Sequence, residues 1–166
     1  MRARFAYTVV AAAVALALVS VACRPKPAPE QPPIKVGAIL AVTGGASNLG
    51  APEAKTVEMF VEKINQAGGV HGRKIQLIVK DSASTPATAI SLAKQLIDEE
   101  NVLAIVGPST SGETMAIKEI CQETQTILIS CAAAEDIVNP LASYVFKTPQ
   151  KDSDAVRRIY QVLKAK

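Results

Sequence analysis

Short apolar runs alternate with segments of helical periodicity along most of this chain, and that alternation constrains the fold more than any other feature. Runs with the length and composition of strands lie at Ile34–Leu40, 75–79 (ending at Asp81), 102–106, 126–129 and 144–146. Between and after them, apolar residues at i, i+3, i+4 and i+7 predict helices at about 52–66, from Pro86, at about 111–123 and at 154–166. Such a repeat implies right-handed βαβ crossovers and a parallel sheet. The predicted fold class is therefore α/β, with a three-layer βαβ parallel sheet.

Residues 1–22 have the pattern of a secretory signal peptide. Arg2 and Arg4 form a charged start, residues 5–22 carry no charge, and Ser20 and Ala22 supply small residues before a cleavage site. An uncleaved membrane anchor is the alternative, because the uncharged stretch lies at the short limit of the roughly 17–25 residues that span a bilayer.

Cys23 follows the signal directly, which resembles the position where bacterial lipoproteins carry their lipid-modified first residue. Ser20 departs from the leucine that is usual at its position, so a plain secreted protein is the alternative. Residues 23–33 form a proline-rich linker, and proline favours extended geometry. Together these features predict an extracytoplasmic location, in the periplasm or cell envelope, with Cys23 as the lipid anchor to a membrane.

Four loops follow the carboxyl ends of the predicted strands, where parallel sheets bind their ligands. They span 43–50, 81–85, 108–112 and 130–135, and all are rich in Ser, Thr, Gly and Ala. Hydroxyls and free N–H groups bind carboxylates, and the helix beginning near Ser111 adds the positive end of its dipole. The loops predict a site for a small anionic or zwitterionic molecule. Ordinary loops and helix caps are the alternative, since they favour the same residue types.

The segments IKVGAILAVTGGASNLG, INQAGGVHGRKIQLIVKDSASTPATAI, AIVGPSTSGETMA, ISCAAAEDIV and YVFKTPQKDSDA cover most of the chain from Ile34 onward. As a set they resemble the periplasmic substrate-binding proteins of branched-chain amino-acid ABC transporters, the Leu/Ile/Val-binding type with the type I periplasmic-binding (Venus-flytrap) fold. The resemblance implies an extracytoplasmic solute-binding component of an ABC importer for amino acids or related small carboxylates, with ABC permease subunits as partners. A ligand-sensing or protein-interaction lipoprotein domain on the same fold is the alternative.

The resemblance also assigns ligand-binding residues. Ser111 matches the serine whose hydroxyl, with the N–H of Gly112, binds the α-carboxylate. Ala132 matches a position whose backbone binds the head group. Ala134 stands where the best-known members have a head-group-binding threonine, and that loss implies a shift toward another carboxylic acid. Leu49 matches a position that is often aromatic at the cleft mouth.

The family's chain is about twice as long and forms two lobes. Residues 34–150 match the N-terminal lobe, which is incomplete, and residues 151–166 match the first helix of the second lobe. We expect a truncated gene or a partial sequence, with a genuine one-lobe protein as the alternative. The final helix is expected to expose its apolar stripe: Val156, Ile159, Tyr160 and Leu163.

Other chemistry lacks its motifs. His71 is the only histidine and is predicted to lie in a turn, and the glycines at 44, 45 and 50 match neither dinucleotide nor phosphate loops. The chain has no metal-ligand spacing, and its net charge of +3 comes from scattered basic residues. We therefore expect no enzyme, no cofactor, no metal and no nucleic-acid partner. Cys121 and Cys131 are expected to form no disulfide, since the sequence predicts them at opposite edges of the sheet, beyond the ~7 Å Cα limit.

Overall fold

The computed structural model describes residues 31–165, so the predicted signal at 1–22, Cys23 and most of the linker lie outside the described residues. Five strands form one sheet in the order β2-β1-β3-β4-β5, and every neighbouring pair is parallel. The strands are β1 (Ile34–Leu40), β2 (Ile75–Asp81), β3 (Ala104–Val106), β4 (Ile127–Ser130) and β5 (Val145–Lys147). The α-helices are α1 (Ser47–Gln66), α2 (Pro86–Lys94), α3 (Ser111–Glu123) and α4 (Asp152–Lys164). A π-helical turn (Gln95–Glu99) extends α2, and a 3-10 turn (Glu135–Ile137) precedes β5. The predicted α/β fold with a parallel sheet is confirmed.

Alternate residues of β1 supply two separate cores, because successive strand residues point to opposite faces of a sheet. Ile39 lies in the larger core, with the fully buried Ile105 of β3 and Ile117 of α3. Ala38 and Leu40 pack in the smaller core against Ala54 of α1. Helices therefore cover both faces, which gives the three layers that the strand–helix repeat predicts.

The boundaries of several elements differ from the predictions. Helix α1 begins at Ser47, five residues before the expected start at Pro52, so half of the loop predicted at 43–50 is helical. Strand β3 begins at Ala104 instead of 102, because the N–H of Val102 bonds to the carbonyl of Leu96 in the π-helical turn. Phe60 falls at the apolar spacing that predicts α1, yet it is 53% exposed.

Helix α3 has the predicted bounds, and the structure explains why. Thr110 is its N-cap residue and accepts a hydrogen bond from the N–H of Glu113 at 3.3 Å. The carboxylate of Glu113 accepts in return from the Thr110 hydroxyl at 2.6 Å. This reciprocal pair resembles a capping box, which satisfies polar groups at the helix start.

Helix α2 has no side-chain cap. Thr85 occupies the N-cap position, but its hydroxyl donates to the carbonyl of Ala83 and makes no cap bond. Pro86 occupies the first turn as expected. His71 lies in the predicted turn, at φ 50°, between the bridged residues Val70 and Arg73.

The apolar stripe of α4 is exposed, as expected. Val156, Ile159, Tyr160 and Leu163 keep 50%, 59%, 62% and 64% of their surface in solvent. Over residues 31–165, no helix combines the length and apolar content needed to cross a bilayer.

Candidate functional site

The loops after β1 and β2 are joined by a network around Asp81, the last residue of β2. Its carboxylate accepts from the Thr43 hydroxyl at 2.6 Å, the Thr43 N–H at 3.1 Å and the Ala83 N–H at 2.9 Å. These bonds, the Thr43 hydroxyl foremost, hold the pKa of Asp81 below its ordinary value. The Ser84 hydroxyl donates to the Thr43 carbonyl and accepts from the Ala46 N–H at 2.9 Å. The two loops therefore form one hydrogen-bonded unit.

The loop after β3 is fixed to the rest of the sheet edge by Ser109, which is 4% exposed. Its hydroxyl donates to Oε2 of Glu53 at 2.5 Å and accepts from the N–H of Ala41 at 3.0 Å. Burial raises the pKa of Glu53 and the neighbouring Glu113 adds to that rise, while the Ser109 bond opposes it. The sequence indicates no role for Glu53 or Ser109, because no motif marks a contact between residues so far apart in the chain.

Ser111, the predicted carboxylate ligand, lies at the first position of α3. Its hydroxyl oxygen accepts a hydrogen bond from the N–H of Ala134 at 3.3 Å, so two predicted site residues meet. Within residues 31–165 the Ser111 hydroxyl has no acceptor for its own proton, which leaves it free to donate to a ligand. Gly112 beside it is exposed. A Cβ built at Gly112 would meet only Pro86, at 4.0 Å, so a ligand has room to approach the backbone there.

Ala132 and Ala134 lie on the loop after β4 in different settings. Ala132 is 4% exposed, and its N–H donates to the Ser130 hydroxyl at 3.0 Å, so that donor is already occupied. The Ser130 hydroxyl also bonds to the Thr114 hydroxyl at 2.8 Å. The carbonyl of Ala134 accepts from the ammonium of Lys147 at 3.1 Å.

Lys147, the last residue of β5, is the cation that sequence reasoning missed. It also donates to the carbonyl of Ala133, which places a positive charge beside the loop that contacts Ser111. Its position directly after the strand predicted at 144–146 is the sequence feature that could have indicated it as a site residue. A cation and a free hydroxyl at one sheet edge suit an anionic group.

Leu49 lies in the first turn of α1 and is 47% exposed. It takes no part in the hydrogen bonds that join Ser111 to Ala134. The structure therefore brings Ser111 and Gly112 together with Ala134, buries Ala132, and leaves Leu49 exposed in the first turn of α1.

The described residues contain no group of three or more His, Cys, Asp or Glu side chains that could hold a metal ion.

Cys121 is buried in α3, and Cys131 is half-buried just after β4; both are free thiols. Burial raises the pKa of Cys121 to about 12 and that of Cys131 to about 11. The groups at this sheet edge are hydroxyls, backbone N–H groups and one ammonium, whose chemistry suits a small anion.

A family model described as periplasmic binding protein matches residues 33–166. Leu/Ile/Val-binding protein homolog 7 of Brucella abortus is 31% identical over 140 residues, which cover 84% of this chain and 35% of that protein. The chemotactic signal transduction system substrate-binding protein BasB of Halobacterium salinarum is 34% identical over 100 residues, or 59% of this chain and 24% of that protein.

Solved structures give the same result. The branched-chain amino acid transporter substrate binding protein LivJ of Streptococcus pneumoniae, in complex with isoleucine, matches with a TM-score of 0.70 at 33% identity, over 73% of this chain and 35% of that chain. A solute binding protein of an ABC transporter from Rhodopseudomonas palustris, in complex with 3,4-dihydroxybenzoic acid, matches with a TM-score of 0.65 at 27% identity, over 71% and 32%. The aligned part of this chain covers 35% or less of the length of each of these relatives.

Proposed function

The chain belongs to the periplasmic binding protein family, and on that premise we propose that it forms the N-terminal ligand-binding lobe of an extracytoplasmic solute-binding component of an ABC importer. The observation that carries the proposal is the junction of Ser111 and Ala134, where a hydroxyl with a free proton lies beside the exposed Gly112. This arrangement supports binding of a carboxylate at the start of α3, where the helix dipole also favours a negative charge.

The ligand class that we propose is amino acids or related small carboxylates. The Streptococcus pneumoniae relative holds isoleucine and the Rhodopseudomonas palustris relative holds 3,4-dihydroxybenzoic acid, and both molecules carry a carboxyl group. Alanine at position 134 removes a hydroxyl that would otherwise assist an ammonium-bearing head group. The site therefore suits carboxylates that lack an α-ammonium group at least as well as amino acids.

Within this proposal each region of the chain has a role. Ser111 and Gly112 bind the carboxylate, the loop containing Ala132 and Ala134 lines the head group, and Leu49 borders the entrance. Residues 34–150 form the ligand-binding lobe, and residues 151–166 correspond to the first helix of a second lobe. The chain performs no chemistry of its own: it is held at a membrane through Cys23 and delivers its ligand to permease subunits.

The test is a titration of the isotopically labelled chain, followed through its backbone amide signals in NMR. The probes are L-isoleucine and 3,4-dihydroxybenzoate, and L-isoleucinamide is the matched control because it lacks the carboxylate. We expect saturable shifts of the Gly112 and Ala134 amides with both carboxylates and none with the amide. The proposal is wrong if neither carboxylate shifts these signals, or if the amide shifts them equally.

A ligand-sensing function is the second candidate, and one relative favours it. BasB of Halobacterium salinarum is named as the substrate-binding protein of a chemotactic signal transduction system. The two candidates share the site and differ in the partner. A permease and ATPase gene pair beside this gene would support transport, and a transducer gene there would support sensing.

A further inference from the structure

We propose that Glu53 and Ser109 are positioning residues for the carboxylate site, and that they hold the 108–112 loop against the end of β1 so that Ser111 and Gly112 face a ligand. The inference rests on the proposed function and adds to it two residues that touch no ligand themselves.

Ser109 joins three segments through one hydroxyl. Its proton is donated to Oε2 of Glu53 at 2.5 Å, and its oxygen accepts from the N–H of Ala41 at 3.0 Å. An ionised carboxylate accepts hydrogen bonds and cannot donate one, so it fixes the direction of the single hydroxyl proton. The lone pairs of the Ser109 oxygen then remain free to accept the hydrogen bond from the N–H of Ala41. Removing either partner of this arrangement frees the side of the loop that faces β1.

The opposite side of the same loop is hydrogen-bonded to the loop after β4. The carbonyl of Pro108 accepts from the N–H of Cys131 at 3.1 Å, and the Ser111 hydroxyl accepts from the N–H of Ala134 at 3.3 Å. Ser109 lies between these two contacts and two residues before Ser111. A shift at Ser109 is therefore transmitted directly to the first residues of α3, which bind the ligand.

The surroundings of Glu53 disfavour its charge, which makes the hydrogen bond from Ser109 important to it. Glu53 is half-buried. The carboxylate of Glu113 on α3 disfavours the negative charge of Glu53, and the thiol of Cys131 after β4 is neutral and supplies no opposite charge. Burial of an ionised carboxyl group costs free energy unless hydrogen bonds compensate. The Ser109 bond compensates part of that cost. Because Ser109→Ala also leaves the N–H of the buried Ala41 without its acceptor, urea unfolding is measured for each variant and binding is compared under conditions where all variants are folded.

The test compares Glu53→Ala, Ser109→Ala, the double variant and Glu53→Gln, with Glu58→Ala as the matched control, because Glu58 is an exposed carboxylate on the same helix. We expect Glu53→Ala and Ser109→Ala each to weaken L-isoleucine binding about tenfold, and the double variant to lose no more than either alone, as for partners in one contact. Glu53→Gln keeps an acceptor for the Ser109 proton, and its affinity is expected to lie within about threefold of that of the unaltered chain. The Gly112 and Ala134 amide shifts are expected to move in the two alanine variants and to return in Glu53→Gln.

Failure of this inference is distinguishable from failure of the proposed function. If Ser111→Ala weakens binding while Glu53→Ala and Ser109→Ala leave affinity and amide shifts unchanged, the positioning role is wrong and the binding function stands. A Glu53→Gln variant as impaired as Glu53→Ala would also overturn the role. If the unaltered chain binds neither probe, the function fails, and the Gly112 and Ala134 amide shifts alone decide whether Glu53 and Ser109 position the loop.

Discussion

The hydroxyl of Thr43 donates to Oδ2 of Asp81 at 2.6 Å, while the backbone N–H of the same threonine donates to Oδ1 at 3.1 Å. Both oxygens of one carboxylate are thus used by a single residue on the neighbouring loop. The pKa of Asp81 is lowered as a result, with the Thr43 hydroxyl as the main cause. This contact joins the loops after β1 and β2 at the edge of the sheet that holds the candidate site.

The lowered pKa of Asp81 predicts a pH dependence of stability. A carboxyl group with a lowered pKa in the folded state stabilises the fold above its unfolded pKa of about 3.9, and that contribution is lost as the pH falls through the folded value. The free energy of unfolding should therefore exceed that of Asp81→Asn at pH 7, by less than about 1 kcal/mol because the carboxylate is exposed. The difference should shrink in acid. Urea unfolding at neutral and acidic pH measures it.

Asp98→Asn is the matched control for this measurement, since Asp98 is exposed on the π-helical turn and makes no side-chain hydrogen bond within residues 31–165. It should unfold like the unaltered chain at both pH values. A difference between Asp81→Asn and the unaltered chain that stays constant down to acidic pH would contradict the assigned role of the Asp81 carboxylate.

At Gly50 in α1, substitution by alanine is expected to destabilise the fold, although alanine usually stabilises a helix relative to glycine. Replacing a helical glycine by alanine ordinarily stabilises by about 0.5–1 kcal/mol. At Gly50, however, a Cβ would lie 2.3 Å from the backbone carbonyl of Ala41, and backbone atoms cannot rotate away. Gly50→Ala should therefore destabilise by about 1–3 kcal/mol. Gly45→Ala is the control, because a Cβ there meets nothing within 4 Å. Equal urea midpoints for the two variants would show that Gly50 is not in close contact with Ala41.

Ser111→Ala tests the ligand contact itself. Loss of a hydroxyl that donates to a charged carboxylate should weaken L-isoleucine binding by about 1–3 kcal/mol, measured by calorimetry. Ser91→Ala removes a hydroxyl from the exposed face of α2 and should leave affinity unchanged. An unaltered affinity in Ser111→Ala would remove Ser111 from the site.

The cysteines offer a test of chemical accessibility. Thiolates are the reactive form, and the pKa values of about 12 for Cys121 and about 11 for Cys131 keep both thiols protonated at neutral pH. Iodoacetamide should label neither residue quickly in the folded chain and both residues in urea without reductant, as peptide mass spectrometry reports. Rapid labelling of the folded chain would contradict their burial. Failure to label both in urea, in monomeric protein, would indicate a disulfide between them.

Sequence patterns predicted those features that depend on neighbours along the chain. The bounds of α3 were predicted from the spacing of its apolar residues, and β1 from its apolar run. In the structure the Thr110–Glu113 pair caps α3, and β1 contributes to both cores. The start of α1 was missed because Pro52 resembles a helix start, whereas Ser47 begins the helix. The loops at 108–112 and 130–135, both expected beyond the carboxyl ends of strands, contact each other through the Ser111–Ala134 bond.

The contacts that support the site were not predictable in the same way. Ser109 and Glu53 are 56 residues apart, and their hydrogen bond depends on how α1 packs against the sheet. The ammonium of Lys147 reaches the loop after β4 only because β5 pairs beside β4. Such contacts depend on the three-dimensional arrangement of whole elements, and no local pattern specifies them.

Ile117 and Ile159 are a buried and an exposed isoleucine, and their substitution compares the two kinds of apolar surface. Ile117 of α3 is 0% exposed, and Ile159 of α4 is 59% exposed. Ile117→Ala should lower the free energy of unfolding by about 2–5 kcal/mol, because it removes packed methyl groups and leaves a cavity. Ile159→Ala should change it by less than about 0.5 kcal/mol. Urea unfolding measures both, and a large loss in Ile159→Ala would mean that the α4 stripe is covered in solution. Reduced binding of a hydrophobic dye by Ile159→Ala at unchanged stability would locate the exposed apolar surface on α4.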